Sequence, residues 1–221
     1  MPDEEYTNFR EVKAKYMAPG ILYRSSSPLK GGDIKDVKGA LAQRAGIKCV
    51  INLDDHVSVL EALAKEVPWY HKLVKENNVI ALHVNFSIPS PDFNKKLKDA
   101  LQFMISREGP YLIHCFAGVD RTGFMVAILK ALMGATVKEI CDDYLLSFKS
   151  DYTSSYDINN DHKEGHLMNQ LQEICPYEML SEESLAVGIG IYLVRDVGLS
   201  NGEVNKLRGK LSGGNPEGNL N

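Results

Sequence analysis

Cysteine and histidine are scarce in this sequence, and their spacing excludes several classes of protein. The chain of 221 residues has four cysteines, Cys49, Cys115, Cys141 and Cys175, with no CxxC pair among them. This wide spacing is unlike that of a disulfide scaffold, so we expect reduced thiols, with Cys141 and Cys175 in structural positions. The six histidines form neither an HExxH motif nor a His/Cys cluster with metal-ligand spacing. We therefore predict no catalytic metal and no cofactor.

Long apolar runs are also missing from the sequence. No segment reaches the roughly 18 apolar residues that a membrane-spanning helix needs. The N-terminal sequence MPDEEYTNFREVKAKYM contains no apolar signal core, so we expect a cytoplasmic protein without stable membrane insertion. A net charge of -4 and a pI near 5.9 weigh against a broad nucleic-acid surface, and we expect no nucleic acid as a partner.

What the sequence does contain is an alternation of strand-like and helix-like segments, with 44% hydrophobic residues to fill a core. Extended segments are predicted at residues 46–55, 79–86 and 111–113, and residues 20–28 are predicted to form a short extended piece followed by a Ser/Pro turn. Helical apolar spacing marks residues 56–78, where Pro68 predicts two helices or a helix and an extension, and the stripe from Phe93 to Ile105. This order predicts an α/β fold with a central sheet flanked by helices.

The C-terminal part of the chain is predicted to be helical. Thr136 with Glu139, and Ser200 with Glu203, have capping-box spacing, and Ser181 is placed to cap the apolar segment that follows it. We expect these signals to begin three helices.

The chain is interpreted as one domain, residues 1–211, in which residues 150–211 form a helical extension. The polar, turn-rich region from Lys149 to Gly165 is predicted to be a long loop or flap. Residues 212–221 offer almost nothing to bury, so a flexible tail is expected there.

The segment YLIHCFAGVDRTGFMVAIL places a cysteine between a short apolar strand and an apolar helix that Gly134 is expected to end. Cys115 to Gly123 is therefore predicted to form a strand-to-helix loop. Such a loop directs backbone N–H groups inward, and the helix N-terminus adds positive potential, so an oxyanion such as phosphate is favoured there. The same field favours a thiolate, which makes Cys115 a candidate nucleophile.

The residues that follow the cysteine suit phosphoryl transfer to sulfur. Arg121 can return to the loop mouth and hold two phosphate oxygens with its planar guanidinium group, which a lysine could not do. Thr122 can place a hydroxyl near the sulfur and stabilise the thiolate as it leaves a phosphocysteine. Gly118 and Gly123 permit close approach of the backbone. A nucleotide-binding P-loop would need Lys where Phe124 stands, so that interpretation fails.

HCFAGVDRTG resembles the HC-x5-R-[ST] loop of cysteine-dependent protein tyrosine phosphatases, in the form with Asp before Arg that is typical of the bacterial tyrosine and phosphoinositide phosphatase family. TNFREV and GILYRSSSP are similar to that family's N-terminal elements, DDYLLSF to the helix after the loop, and IGIYLVRDVGLSNGEVNKLRGKL to its C-terminal helices. The resemblance spans roughly Asn8 to Leu211. It implies a phosphate-binding set made of Phe116, Ala117, Gly118, Val119, Asp120 and Arg121, together with Arg24.

The resemblance implies a phosphatase that hydrolyses phosphate monoesters through a phosphocysteine intermediate, with a phosphorylated protein or a small phosphomonoester as its partner. Members that act on phosphoinositides commonly have Lys where Val119 stands, so phosphotyrosine-type substrates are favoured over phosphoinositides. A phosphoinositide phosphatase and a pseudophosphatase that binds phosphorylated ligands without turnover stay open as alternatives. Small arsenate reductases share the Cys-x5-Arg pattern but usually carry it near the N-terminus.

The identity of the general acid stays open between two aspartates. In many tyrosine phosphatases this acid lies on a separate mobile loop, and Asp92 in SIPSPDFN is placed for that role. The resembled subgroup implies Asp120 instead, which we favour. His114 either tunes the thiolate through hydrogen bonding or is a core histidine.

Further polar and thiol side chains each have two interpretations. Arg24 either lines the phosphate site or forms a surface ion pair. Cys49 is either buried and inert, which is favoured, or the partner of an oxidised Cys115 in a protective disulfide. Asp54 and Asp55 are expected to solvate a strand end or cap a helix rather than act as an acid/base pair.

Overall fold

The computed structural model describes residues 3–32, 34–85, 87, 90–149, 160–175, 181 and 184–214. Within these ranges the strands are β1 (Arg10–Glu11), β2 (Leu22–Ser26), β3 (Cys49–Asn52), β4 (Val79–Ala81) and β5 (Tyr111–Cys115). The helices are α1 (Asp3–Thr7), α2 (Ile34–Arg44), α3 (Val57–Ala64), α4 (Pro68–Lys75), α5 (Pro91–Ser106), α6 (Asp120–Leu132), α7 (Val137–Leu146), α8 (Asn160–Ile174), α9 (Leu185–Arg195) and α10 (Asn201–Leu211). A short 3-10 helix, Ser147–Lys149, follows α7.

The strands of the described residues form one sheet in the order β1-β2-β5-β3-β4. Strands β2, β5, β3 and β4 run parallel, and only β1 pairs antiparallel, with β2. Parallel neighbours need crossover connections, which α2, the α3–α4 pair and α5 supply. The predicted α/β fold, a central sheet flanked by helices, is confirmed.

Alternate side chains of the central strands enter different hydrophobic clusters, as the two-residue period of a strand requires. In β3, Cys49 and Ile51 pack with α5, α6 and the C-terminal helices, whereas Val50 packs with α2, α3 and α4. Ile113 and Leu112 of β5 divide in the same way. The sheet is therefore covered on both faces. Helices α8, α9 and α10 share the core of the first face.

Helix boundaries in the middle of the chain follow the signals in the sequence. Pro68 divides residues 56–78 into α3 and α4 and stands in the first turn of α4, where its missing N–H costs no hydrogen bond. The predicted capping boxes at Thr136–Glu139 and Ser200–Glu203 are both present and begin α7 and α10. None of the helices in the described part of the chain is long and apolar enough to cross a membrane.

The predicted strand at residues 79–86 is too long, because regular pairing stops at Ala81. His83 adopts a left-handed φ of 45°, which interrupts the extended backbone. The N–H groups of Leu82 and Val84 still donate to carbonyls at the end of β3, so the chain stays beside the sheet. Phe86 lies outside the described residues.

Two predictions about the C-terminal part are also wrong. The region predicted as a flap contains the start of α8, whose Leu167 and Leu171 are fully buried in the core; residues 150–159 lie outside the described residues. Ser184 rather than Ser181 is the N-cap of α9, because the carbonyl of Ser181 accepts hydrogen bonds in the turn before the helix. Of the predicted tail, residues 212–214 form a turn after α10, and the rest lies outside the described residues.

Candidate active site

Cys115 is the last residue of β5, at the edge where the parallel strands end, and its side chain is buried. The predicted loop from Cys115 to Gly123 is shorter than expected, because α6 begins at Asp120. Only Phe116 to Val119 connect the strand to the helix. The first turn of a helix has N–H groups without intrahelical partners, so the short loop brings two sources of N–H donors to the cysteine.

The carbonyl groups of this loop are held by residues outside it. Ser27 N–H donates to the carbonyl of Phe116 at 2.9 Å. Asn8 Nδ2 donates to the carbonyls of Ala117 and Gly118, at 3.2 and 3.0 Å. Because C=O and the following N–H point in opposite directions across a trans peptide, these bonds turn the loop N–H groups toward the other side. The result is a backbone cradle for an oxyanion.

Gly118 is the position where the loop approaches β2 most closely. Its φ is +73°, and a Cβ atom there would lie 2.3 Å from the carbonyl oxygen of Ser25. Neither the left-handed backbone nor the contact tolerates a side chain. The glycine expected from the sequence to allow close backbone approach therefore does so toward β2.

A buried charge network stands behind the loop. Arg24, fully buried, donates to the carbonyl of Gly118 at 2.8 Å, to the Ser147 hydroxyl and to the Asp143 carboxylate. Arg10 donates to the same carboxylate at 2.9 Å. Burial alone would raise the pKa of Asp143, but the charges of Arg24 and Arg10 outweigh it and lower that pKa to about 2.

The expectation of a surface ion pair for Arg24 is wrong, because its guanidinium group lies in the interior. The alternative, a direct phosphate contact, is less well supported than a supporting role, since the described hydrogen bonds of Arg24 run to the back of the loop and to α7. We therefore interpret Arg24 as a residue that shapes the cradle.

Arg121, in the first turn of α6, points toward the end of β3. Its Nη2 donates to Asp54 Oδ1 at 2.8 Å, and its Nη1 to the carbonyls of Leu53 and Val84, both at 3.3 Å. The carboxylate of Asp54 also pairs with Lys30. Burial opposes ionisation of Asp54, but these two cations outweigh it and its pKa is lowered.

The expected strand-end or capping role of the two acids is wrong. Asp54 pairs with Arg121, and Asp55 accepts from Asn52 Nδ2 at 3.0 Å and pairs with Lys30. The cap of α3 is His56, whose ring accepts from the following turn.

The two candidate acids have different environments. Asp120 is half-buried and accepts a hydrogen bond of 3.0 Å from the hydroxyl of Tyr144. The Tyr144 ring covers Gly123, where a Cβ atom would lie 2.6 Å from it. The sequence predicted a loop at Asp92, but this residue lies in the first turn of α5, which Ser90 caps. Its carboxylate is 54% exposed and pairs with Lys96 at 2.8 Å.

His114 is fully buried beneath the loop, and its Nε2 lies 2.9 Å from the hydroxyl of Tyr70. Burial lowers the pKa of His114 to about 4. The ring is therefore neutral near pH 7, and any influence on the thiolate comes from hydrogen bonding and not from charge. Thr122 is fully buried, and its hydroxyl has no hydrogen-bond partner within the described residues.

The geometry of the sheet excludes a disulfide between Cys49 and Cys115 unless the chain moves. Cys49 pairs in register with Tyr111, four residues before Cys115. The two cysteines are thus ~13 Å apart along the strands, beyond the ~7 Å that a disulfide spans. Burial raises the pKa of Cys49 to about 12 and that of Cys141 to about 11. Both thiols, like Cys175, are buried, as expected.

Side chains of the loop itself differ in exposure. Phe116 is 47% exposed, and the Lys30 ammonium lies 5.2 Å from its ring centroid. Val119 is buried against the core, so this position brings no charge to the loop. Lys30 supplies a cation beside the loop from another part of the chain. Sequence reasoning missed Lys30 and the pairing of Asp54 with Arg121, because no local pattern connects these residues to the cysteine.

The sequence is similar to a protein family and to a mycobacterial phosphatase. A family model described as "Tyrosine phosphatase family" matches residues 2–213. The "Triple specificity protein phosphatase PtpB" of Mycobacterium tuberculosis is 32% identical over 123 residues, which are 47% of this chain. The chain spans only 44% of that protein's length.

The comparison with solved structures gives two matches to Siw14. The core catalytic domain of the PP-IP phosphatase SIW14 from S. cerevisiae, in complex with citrate, has 20% identity and a TM-score of 0.42, and covers 74% of this chain and 94% of its own. A second structure, of the Siw14 catalytic core, has 18% identity and a TM-score of 0.41, with 73% and 97% covered.

Proposed function

Because the chain belongs to the tyrosine phosphatase family, we propose that it is a cysteine-dependent phosphatase that hydrolyses phosphate monoesters. The single observation that carries the proposal is the cradle above Cys115, whose carbonyl groups are held outward by Asn8, Arg24 and Ser27. A cradle of N–H groups stabilises the charge that develops on a transferring phosphoryl group.

The proposed reaction has two steps. The Cys115 thiolate attacks phosphorus, the bond to the leaving oxygen breaks, and Asp120 donates a proton to that oxygen. A water molecule then attacks the phosphocysteine and gives a proton to the Asp120 carboxylate, which restores the acid. The bond from sulfur to phosphorus breaks, and the sulfur leaves as a thiolate that the Thr122 hydroxyl can stabilise. Arg121 holds two nonbridging oxygens throughout. The products are the free alcohol or phenol and inorganic phosphate.

We propose phosphotyrosine-type groups as the substrates. The exposed Phe116 directly follows the nucleophile, and its ring can pack against the phenyl ring of an aryl phosphate. The buried Val119 brings no charge toward a multiply charged headgroup. The name of the mycobacterial relative, a triple specificity protein phosphatase, supports protein substrates and also a broader range. We also propose a cytoplasmic location, since the four cysteines are free in the structure and suit a reducing compartment.

The proposal is tested with Cys115→Ser, with Cys175→Ala as a control at the buried cysteine that directly follows α8. We expect Cys115→Ser to lose aryl-phosphate turnover by at least ~1,000-fold while still binding inorganic phosphate, because the cradle persists without the nucleophile. Acid quenching with a labelled substrate should trap a phosphoenzyme in the control only. Turnover by Cys115→Ser, or no turnover by the wild type, would contradict the proposal; the second result would favour a pseudophosphatase.

Substrate class is tested by comparing kcat/KM for a phosphotyrosine peptide, the matching phosphoserine peptide and a phosphoinositide in vesicles. We expect the phosphotyrosine peptide to be preferred. Phe116→Ala should lower kcat/KM for the phosphotyrosine peptide more than for the phosphoserine peptide. A higher kcat/KM on the phosphoinositide would show that the substrate assignment is wrong.

A further inference from the structure

Asp54 connects the phosphate-gripping arginine to a lysine beside the loop. Its Oδ1 accepts from Arg121 Nη2 at 2.8 Å, and its Oδ2 pairs with Lys30. The carboxylate is only 11% exposed, and Lys30 is 32% exposed. Lys30 also pairs with Asp55 at 3.0 Å. Two cations and two carboxylates thus alternate at the end of β3.

The position of Asp54 is itself well determined. Its backbone N–H donates to Asn52 Oδ1 at 2.9 Å, which fixes the turn after β3. The two carbonyls that bind Arg121 Nη1 do so at 3.3 Å, longer than the 2.8 Å bond to Asp54. A charged acceptor makes the stronger bond, so Asp54 does most to set the rotation of the guanidinium group.

The same carboxylate opposes the anion that Arg121 is proposed to hold. Asp54 binds Nη2, one of the two terminal nitrogens with which a guanidinium group can hold phosphate oxygens. A phosphate held through that nitrogen would therefore lie beside the Asp54 carboxylate, whose charge Lys30 helps to balance. Repulsion from this carboxylate would weaken both substrate and product binding.

We propose that Asp54 is a positioning residue with two effects: it orients Arg121 before the substrate binds, and it speeds release of the product phosphate. Lys30 balances the charge of Asp54 and limits the repulsion. This inference rests on the proposed phosphatase function, and it adds an electrostatic control of phosphate retention.

The test compares Asp54→Asn and Lys30→Gln with Glu66→Gln. Glu66→Gln removes a carboxylate from a lysine pair in the same way, but its partner Lys35 lines a cavity between α2 and α4 and has no described contact with Arg121. Each variant is assayed for kcat on an aryl phosphate and for competitive inhibition by inorganic phosphate. Thermal unfolding checks that each is folded.

For Asp54→Asn we expect kcat to fall by roughly 10- to 100-fold because Arg121 is less well oriented. The inhibition constant of phosphate should fall by about 3- to 10-fold because a repulsive charge is gone. Lys30→Gln should raise that inhibition constant by a similar factor, since Asp54 is then unbalanced. Glu66→Gln should change neither value, and Asp54→Glu should restore weak phosphate inhibition.

The inhibition constant of phosphate is expected to fall in Asp54→Asn and to rise in Lys30→Gln. Structural damage would instead weaken phosphate binding in both variants, so the two explanations can be told apart. Weaker phosphate inhibition of Asp54→Asn would overturn the inference. So would inhibition constants that change in the same direction in Asp54→Asn and Lys30→Gln. If Asp54→Asn does not fold, the Lys30→Gln result still decides, because an unchanged inhibition constant contradicts the proposed balance. A wild type that neither turns over aryl phosphates nor binds phosphate would instead refute the proposed function.

Discussion

Replacing Asp143 with asparagine tests the charge network behind the loop. The carboxylate is 10% exposed and binds Arg24, which is fully buried, and Arg10, which is 19% exposed. The substitution keeps the size of the side chain but removes its charge. Arg24 is then left in the interior without its anionic partner, and its hold on the Gly118 carbonyl is weakened.

The loss in the free energy of unfolding of Asp143→Asn can be worked out in two ways. Removing one partner of a buried ion pair typically costs ~3–5 kcal/mol. Arg10 keeps its bonds to the Asp143 carbonyl and the Ser147 hydroxyl, so we expect the lower end, ~3 kcal/mol. Burial disfavours the charged carboxylate, but the charges of Arg24 and Arg10 lower the pKa of Asp143 from 3.8 to about 2. That shift corresponds to ~2 kcal/mol of stabilisation by the ionised form, in fair agreement.

Urea unfolding of the wild type and Asp143→Asn at several pH values measures this effect. Because the pKa of Asp143 is lower in the folded state, its contribution is fully present above pH ~4 and is lost as pH falls through about 2. The difference between the two proteins should therefore be largest near pH 7 and shrink toward pH 2. Phosphate binding should weaken with the loss of stability.

The control is Asp142→Asn, one residue earlier on α7. Asp142 is exposed and pairs with an exposed Lys138, so its loss should change stability by less than ~0.5 kcal/mol. A loss below ~1 kcal/mol in Asp143→Asn, or one that does not vary with pH, would refute the view that Asp143 stabilises the loop through its charge.

Three further predictions concern the loop. Asp120→Asn should lower kcat by roughly 100-fold or more on weakly acidic phenyl phosphates and by less on acidic ones, whereas Asp92→Asn should have little effect; the steeper dependence in Asp92→Asn would identify that residue as the acid. Arg121→Lys should lower kcat/KM by at least ~100-fold, because lysine cannot hold two oxygens, and unchanged kinetics would show that Arg121 lies away from the phosphate. Gly118→Ala should cost at least ~2 kcal/mol in urea unfolding through strain and contact with β2, and a stable, active variant would contradict the loop geometry.

The chemistry of the site could be predicted because its reacting groups lie in one short segment. Cys115, Arg121 and Thr122 are brought together by a strand end, a tight loop and one helical turn, all of which have local signals in the sequence. The capping boxes and the helix break at Pro68 could be predicted for the same reason, because each has a local signal in the sequence. Even so, the helix begins four residues earlier than expected, since the loop is closed by contacts from other elements.

The contacts of the supporting residues could not be predicted, because they depend on pairing across the sheet. The resemblance implied Arg24 at the phosphate site, but nothing in the sequence near Arg24 or Asp143 indicates that the two form a buried ion pair. Asp54 was placed correctly at the end of a strand, but its partner Arg121 is 67 residues away. The order β2-β5-β3 brings these groups together, and that order is not written in any local pattern.

The distance along the chain between the loop and its supports determines when during folding the cradle can exist. Asn8 and Arg24 bind the Gly118 carbonyl across 110 and 94 residues, and Arg10 reaches Asp143 across 133. Contacts of such high contact order form only after most of the chain has collapsed, because the long loops between them cost entropy. A chain still emerging from the ribosome lacks Asp143 until α7 has been synthesised. The thiol therefore meets a formed anion cradle only after that point, and shorter nascent chains should have no phosphatase activity.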